Sequence, residues 1–132
     1  MYLLDTNICI YIIRQRSTTI IDKFKAAKLQ GRVGISAITY AELQYGIQKS
    51  QRRNENQVAL AQFLVPLKTF EFDEKAGILF GEIKTALEKM GTPIGSYDML
   101  IAAHALSLDA TLITNNEGEF RRVPGLKVEN WL

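Results

Sequence analysis

Short apolar runs that end abruptly in polar clusters alternate along this chain with longer stretches whose apolar positions recur every three or four residues. Tyr2-Leu3-Leu4 stops at Asp5-Thr6-Asn7, residue types that cap helices and end strands, and the chain then runs on apolar from Ile8 to Arg14. That order reads as strand, turn, helix. Ile20, Ile21, Phe24 and Ala27 recur among Asp22, Lys23, Lys25 and Lys28, which predicts an amphipathic surface helix closed by Gly31. Val33-Gly34-Ile35 is a second short strand. Ser36 can cap the next helix, in which Ile38, Ala41, Leu43, Tyr45 and Ile47 surround one carboxylate, Glu42. Residues 49–56 are the most polar stretch and predict an exposed corner before a helical run through Val58, Ala61, Phe63 and Leu64 to Pro66.

In the second half, Thr69-Phe70-Glu71-Phe72 alternates as a strand does. Asp73 can cap a long helix carrying Ala76, Leu79, Phe80, Ile83, Leu87 and Met90 to a stop at Gly91. Pro93 to Tyr97 reads as a turn, and Met99 to Leu108 as a helix apolar almost all round, with Asp98 in its first turn. Thr111-Leu112-Ile113 is a strand running into Thr114-Asn115-Asn116-Glu117, and Lys127-Val128 is a weak final one. Strands alternating with helices throughout predict an α/β/α arrangement, a mainly parallel sheet flanked by helices. Ligand sites in such sheets lie beyond the carboxyl ends of the strands, where Asp5-Thr6-Asn7 and Thr114-Asn115-Asn116 fall.

At 132 residues, with 47% hydrophobic and 23% charged positions, the chain has the composition of one soluble domain spanning residues 1–132. Its N-terminal apolar run, Ile8 to Ile13, is far short of the ~20 residues a membrane-spanning helix needs, and no basic leader precedes it. With Cys9 as the only cysteine, no internal disulfide or cysteine-built zinc site is available, and a reducing cytoplasm is expected. His104, the only histidine, excludes a two-histidine ribonuclease mechanism and a His-rich metal site within one chain. Neither a Gly-x-Gly-x-x-Gly nor a Gly-x-x-x-x-Gly-Lys sequence is present to cradle phosphate, and no Gly-x-Ser-x-Gly elbow to carry a nucleophilic serine. The net charge of +2 hides an asymmetry: residues 1–60 hold nine Lys and Arg against four Asp and Glu, residues 61–132 seven against ten. A basic half can attract a polyanion and an acidic half hold cations, although mixed solvated surface explains the same counts.

Asp5, Glu42 and Asp98 are carboxylates in sequence that reads as buried or strand-terminal. No Lys or Arg stands at helical or strand spacing from them, and no formally charged residue follows Asp98 until Asp109. Buried carboxylates need a partner, and a hard divalent cation is one. Several acids at strand ends are a usual container for Mg²⁺ or Mn²⁺, which neutralises charge on a reacting phosphate. Taken one at a time, capping explains Asp5 and Asp98, and exposure to water explains Glu42. Three together point to a site. His104 reads as a packed core histidine and Cys9 as a small buried hydrophobe, while Lys49, Arg52 and Arg53 are either phosphate contacts or a solvated corner.

Four segments in order carry a resemblance: Leu4-Asp5-Thr6-Asn7, Ser36-Ala37-Ile38-Thr39-Tyr40-Ala41-Glu42-Leu43-Gln44-Tyr45-Gly46, Tyr97-Asp98-Met99-Leu100-Ile101-Ala102-Ala103-His104-Ala105, and Thr114-Asn115-Asn116-Glu117-Gly118-Glu119-Phe120. In order and spacing, over essentially the whole chain, they resemble a PIN-domain ribonuclease of the VapC toxin type, and in detail the enterobacterial group. The resemblance implies an acidic core of Asp5, Glu42 and Asp98 holding Mg²⁺ or Mn²⁺, with Thr6 and Thr114 as hydroxyl supports. Many PIN domains carry an aspartate in the last motif where this chain has Asn116, so the fourth acidic role falls to Glu119. It further implies a dimer neutralised by a VapB-type antitoxin, and hydrolysis of initiator tRNA in its anticodon stem-loop to leave a 5′-phosphate and a 3′-hydroxyl. Two other readings share these residues: a non-catalytic nucleic-acid-binding regulatory domain, and a small metal-dependent phosphatase.

Overall fold

The computed structural model describes all residues, 1–132. Five strands, β1 (Tyr2–Leu4), β2 (Val33–Ser36), β3 (Lys68–Phe70), β4 (Thr111–Ile113) and β5 (Lys127–Glu129), pair side by side in the order β3-β2-β1-β4-β5, every pair parallel. Seven helices connect them: α1 (Thr6–Ile13), α2 (Thr18–Leu29), α3 (Ala37–Lys49), α4 (Arg53–Leu64), α5 (Glu74–Lys89), α6 (Ser96–Ser107) and α7 (Glu117–Phe120). The chain steps from β1 outward through β2 to β3, then returns to the other side of β1 to lay down β4 and β5. The order therefore reverses between β1 and β4, and a crevice opens past their carboxyl ends, where sheets of this kind bind ligands.

Alternation along the strands divides the core in two. Leu4, Ile35 and Ile113 face one layer, packed against Ile8, Cys9 and Ile12 of α1, Ile20 and Phe24 of α2, Leu43 and Ile47 of α3, and Leu60 and Phe63 of α4. Leu3 and Leu112 face the other, against Ile83 and Leu87 of α5, Met99, Ile101, Ala102, Ala103 and Ala105 of α6, and Phe120. The three-layer α/β/α expectation holds. Trp131 tucks back beside Tyr2, ring centroids 5.4 Å apart, and closes the first layer. Gly34 is obligatory where it stands: a Cβ there would lie 2.5 Å from the Phe70 ring and 2.7 Å from the Lys68 carbonyl, so β2 and β3 approach as closely as they do because no side chain intervenes.

The elements differ from the sequence reading chiefly at their ends. The third strand stops at Phe70, not Phe72: Glu71 and Phe72 leave the ladder and Phe72 turns its ring edge-on to His104, 5.4 Å away. The polar stretch 49–56 is not all corner, since α4 begins at Arg53. Ser96 and Tyr97, read as turn, are the first residues of α6. One turn of helix, α7, is added after β4, too short to leave a periodic signal.

Candidate active site

Asp5 follows β1 directly, and its backbone N–H donates to the Ile113 carbonyl at 3.0 Å, which fixes it beside Thr114 at the end of β4. Its side chain does two things at once. Oδ1 caps α1 by accepting from the Ile8 N–H at 2.8 Å, and the carboxylate also takes a hydrogen bond from the Thr114 side chain. Capping and site therefore coexist at Asp5, which is only 4% exposed. Burial pushes its pKa up to about 6, against the pull of those two bonds, and Glu42 adds to the rise through its charge.

Asp98 is no cap. Gly95 holds the N-cap position of α6 without a side-chain bond, and Asp98, two residues into the helix, accepts from no backbone N–H. Its half-buried carboxyl is instead pushed up to about 7, first by burial, then by its bond and charge contact with Glu119, then by the charges of Asp5 and Glu42. Four acids distant in sequence, Asp5 just past β1, Glu42 within α3, Asp98 in the first turn of α6 and Glu119 in α7, thus meet around one crevice, where Asp98 feels the other three. None is answered by a cationic side chain: the ion pairs of the molecule are Arg52–Glu55, Arg121–Glu117 and Lys127–Asp109.

Glu42 does not point idly to water. Its Oε1 accepts from the Thr6 hydroxyl at 2.6 Å, and Thr6 Oγ1 lies 3.3 Å from that of Thr39. Glu119, half-buried, accepts through Oε2 from the Asn116 amide at 2.9 Å, and the Asn116 backbone N–H donates to Thr114 Oγ1 at 2.9 Å. Thr114 is fully buried. Thr6, Thr114 and Asn116 are accordingly in direct contact with the acids. Thr39, fully buried, escaped the sequence reading, although its place three residues before Glu42 on a helix puts both on one face.

No three His, Cys, Asp or Glu side chains are preassembled to hold an ion. Carboxylates without a countercharge hold their protons more tightly, the direction in which Asp5 and Asp98 are shifted, and the donor set is all oxygen, which suits a hard divalent cation. The residues fit such an ion. His104 and Cys9 stand apart from this chemistry, both buried, His104 with Nδ1 2.7 Å from Ser36 Oγ. Lys49 lies over the exposed Tyr45 ring at 4.8 Å, and Arg52 and Arg53 stay in solvent. Beside Glu42, Ile10, Ile13, Leu43, Ile47 and Leu60 line an apolar groove between α1, α3 and α4, of about 150 Å³, with Arg14 at its edge. No helix is long and apolar enough to cross a membrane.

The pattern of the PIN domain matches residues 2–126. Ribonuclease VapC2 of Rickettsia felis is 43% identical over 131 residues, covering 99% of this chain and 98% of that protein. The tRNA(fMet)-specific endonuclease VapC of Salmonella typhimurium is 38% identical over 130 residues, 98% and 97% of the two chains. Among solved structures, VapBC2 from Rickettsia felis bound to a DNA fragment from its promoter superposes with a TM-score of 0.94 at 42% identity, over 99% of this chain and 98% of the other. DNA-bound VapBC from Salmonella typhimurium gives 0.93 at 38%, over the same shares. With this fold, these motifs and near full-length similarity, the chain belongs to the PIN-domain family and, within it, to the VapC ribonucleases.

Proposed function

We propose that residues 1–132 form a single PIN domain that hydrolyses RNA as the toxin of a toxin–antitoxin pair, acting on initiator tRNA in the anticodon stem-loop. The observation that carries this reading is the convergence of Asp5, Glu42, Asp98 and Glu119 on the β1–β4 crevice with no cationic side chain among them. PIN-domain nucleases are metal-dependent; Asp5, Asp98 and Glu42 would hold the ion, Mg²⁺ or alternatively Mn²⁺. When bound, the ion supplies charge neutralisation at the phosphate and acidifies water.

The chain's own residues do the rest. Asp5 is held rigidly by the α1 cap and by Thr114, Glu119 is steadied by Asn116, and Glu42, with Oε1 tied to Thr6, keeps Oε2 to orient a water and take its proton. Water gives a proton to Glu42 and attacks the phosphorus in line, the P–O3′ bond breaks, and the departing O3′ takes a proton from solvent, so the products carry a 5′-phosphate and a 3′-hydroxyl. Internal attack by the ribose 2′-hydroxyl finds no histidine to serve it, since His104, the only one, is buried against Ser36.

The relatives of solved structure are VapBC assemblies, which supports a homodimer of this chain joined by a VapB-type antitoxin. The groove beside Glu42 suits an apolar antitoxin segment, with an arginine of that segment reaching the acids by bidentate pairing. Incubating purified protein with initiator tRNA, with Mg²⁺ and with excess chelator, tests the core of the reading. Cleavage in Mg²⁺ that stops in chelator is expected; cleavage undiminished by chelator removes the metal site, and a nucleotide monoester cleaved in place of RNA would favour the phosphatase.

A further inference from the structure

Ser36, Thr39 and Glu42 stand three residues apart along the start of α3 and each reaches a different element. Ser36 Oγ accepts from the Ile38 N–H at 3.0 Å and meets His104 of α6 at 2.7 Å, both residues being buried, so the helix is pinned at its N-cap. Thr39 and Glu42 both reach Thr6 at the start of α1. The direction of this second contact follows from proton counting. A hydroxyl has one proton and a carboxylate can only accept. The 2.6 Å bond to Glu42 Oε1 therefore takes the Thr6 proton, and Thr6 Oγ1 is left as an acceptor facing Thr39 at 3.3 Å. Thr39 is fully buried, where an unpaired hydroxyl costs about 1–3 kcal/mol, so its proton is driven onto Thr6.

We infer that Thr39 is a positioning residue for Glu42, acting through Thr6: its buried hydroxyl fixes a one-way chain, Thr39 to Thr6 to Glu42 Oε1, which leaves Oε2 for the reaction. The inference rests on the reading of Glu42 as part of the ribonuclease centre. Without the Thr39 proton, the Thr6 hydroxyl has no donor to orient it and its bond to Glu42 competes with water. The Glu42 side chain then samples more than one rotamer.

Thr39→Ser and Thr39→Ala test this as a pair, because both lose the γ-methyl and only one loses the hydroxyl, so a packing defect common to both cancels. Three quantities are read: kcat and KM on initiator tRNA in saturating Mg²⁺, Mn²⁺ affinity by calorimetry without RNA, and the melting temperature. The alanine variant is expected to lose about tenfold in kcat relative to the serine variant at unchanged KM, and about threefold in Mn²⁺ affinity, on the scale of one hydrogen bond. Thr6→Val/Thr39→Ala is expected to be no worse than Thr6→Val, since both act on one chain. Equal serine and alanine variants in both kcat and Mn²⁺ affinity, or additive losses in the double variant, would overturn the inference. If the wild-type chain fails to cleave RNA with any divalent ion, it is the ribonuclease reading that falls, and the Mn²⁺ comparison still decides whether Thr39 sets the carboxylate.

Discussion

Asp5 and Asp98 have the same side chain and opposite structural duties. Asp5 caps α1, so Asp5→Ala removes a stabilising bond and is expected to cost about 1 kcal/mol, whereas Asp98 supports no backbone donor and only adds to the crowding of charge. Asp98→Asn should melt at or above the wild-type temperature in chelator, yet lose RNA cleavage as completely as Asp5→Ala. Thermal melts beside a cleavage assay check this, and a large loss of stability in Asp98→Asn would contradict it. The same crowding sets a pH dependence. Burial and facing charges raise the folded-state pKa of Asp5 to about 6 and of Asp98 to about 7, from an ordinary value of 3.8, so the folded chain keeps protons the unfolded chain has lost. Their contribution to the stability of metal-free protein is therefore present below about pH 4, declines as pH rises to about 7 and is level beyond. Denaturant melts in chelator at several pH values should show wild type losing more stability than Asp98→Asn over this window, and the difference should shrink in saturating Mg²⁺.

Among the elements, β2 and α3 carry the closest tolerances. Gly34→Ala puts a methyl group against the Phe70 ring and the Lys68 carbonyl, and the backbone atom cannot swing away, so β2 and β3 must separate. Destabilisation of about 2 kcal/mol or more is expected from overpacking, measured as a lowered urea midpoint, with wild-type stability arguing that β3 shifts freely. The start of α3 and the last turn of α6 are joined by the contact of Ser36 with His104, so the strand ends alone do not build the site. They supply Asp5 and Thr114, and the helices bring Glu42, Asp98 and Glu119 over them.

For the whole molecule, the acidic crevice and the apolar groove beside it lie next to each other, and a neutralising partner has reason to use both. If an antitoxin arginine enters the crevice, replacing it by alanine should weaken inhibition of cleavage more than binding, because the apolar contacts in the groove persist. Affinity and residual nuclease activity measured on the same complex decide this; equal losses in both would mean that inhibition is steric covering. The ends of the cleaved RNA report on the chemistry. Adaptor ligation should find 5′-phosphate and 3′-hydroxyl ends, and 2′,3′-cyclic phosphate would sink hydrolysis by water.

The sequence by itself determined the parallel α/β fold, because short apolar runs and period-3.6 stretches alternate from end to end, and it singled out Asp5, Glu42 and Asp98, because acids in apolar surroundings are out of place. Glu119 was legible only through resemblance: it sits on α7, four residues long, where one turn leaves no pattern to read. Tertiary structure decided which of the acids cap a helix. Capping depends on where a neighbouring N–H points, and that made Asp5 a cap and left Asp98 free of one. Tertiary structure also decided the hydroxyl partners, since Thr6 and Glu42 are 36 residues apart and Ser36 and His104 are 68 apart. Periodicity says which face of a helix is buried; which side chain it meets there is fixed by packing between elements distant in the chain, and that pairing leaves no local trace in the sequence.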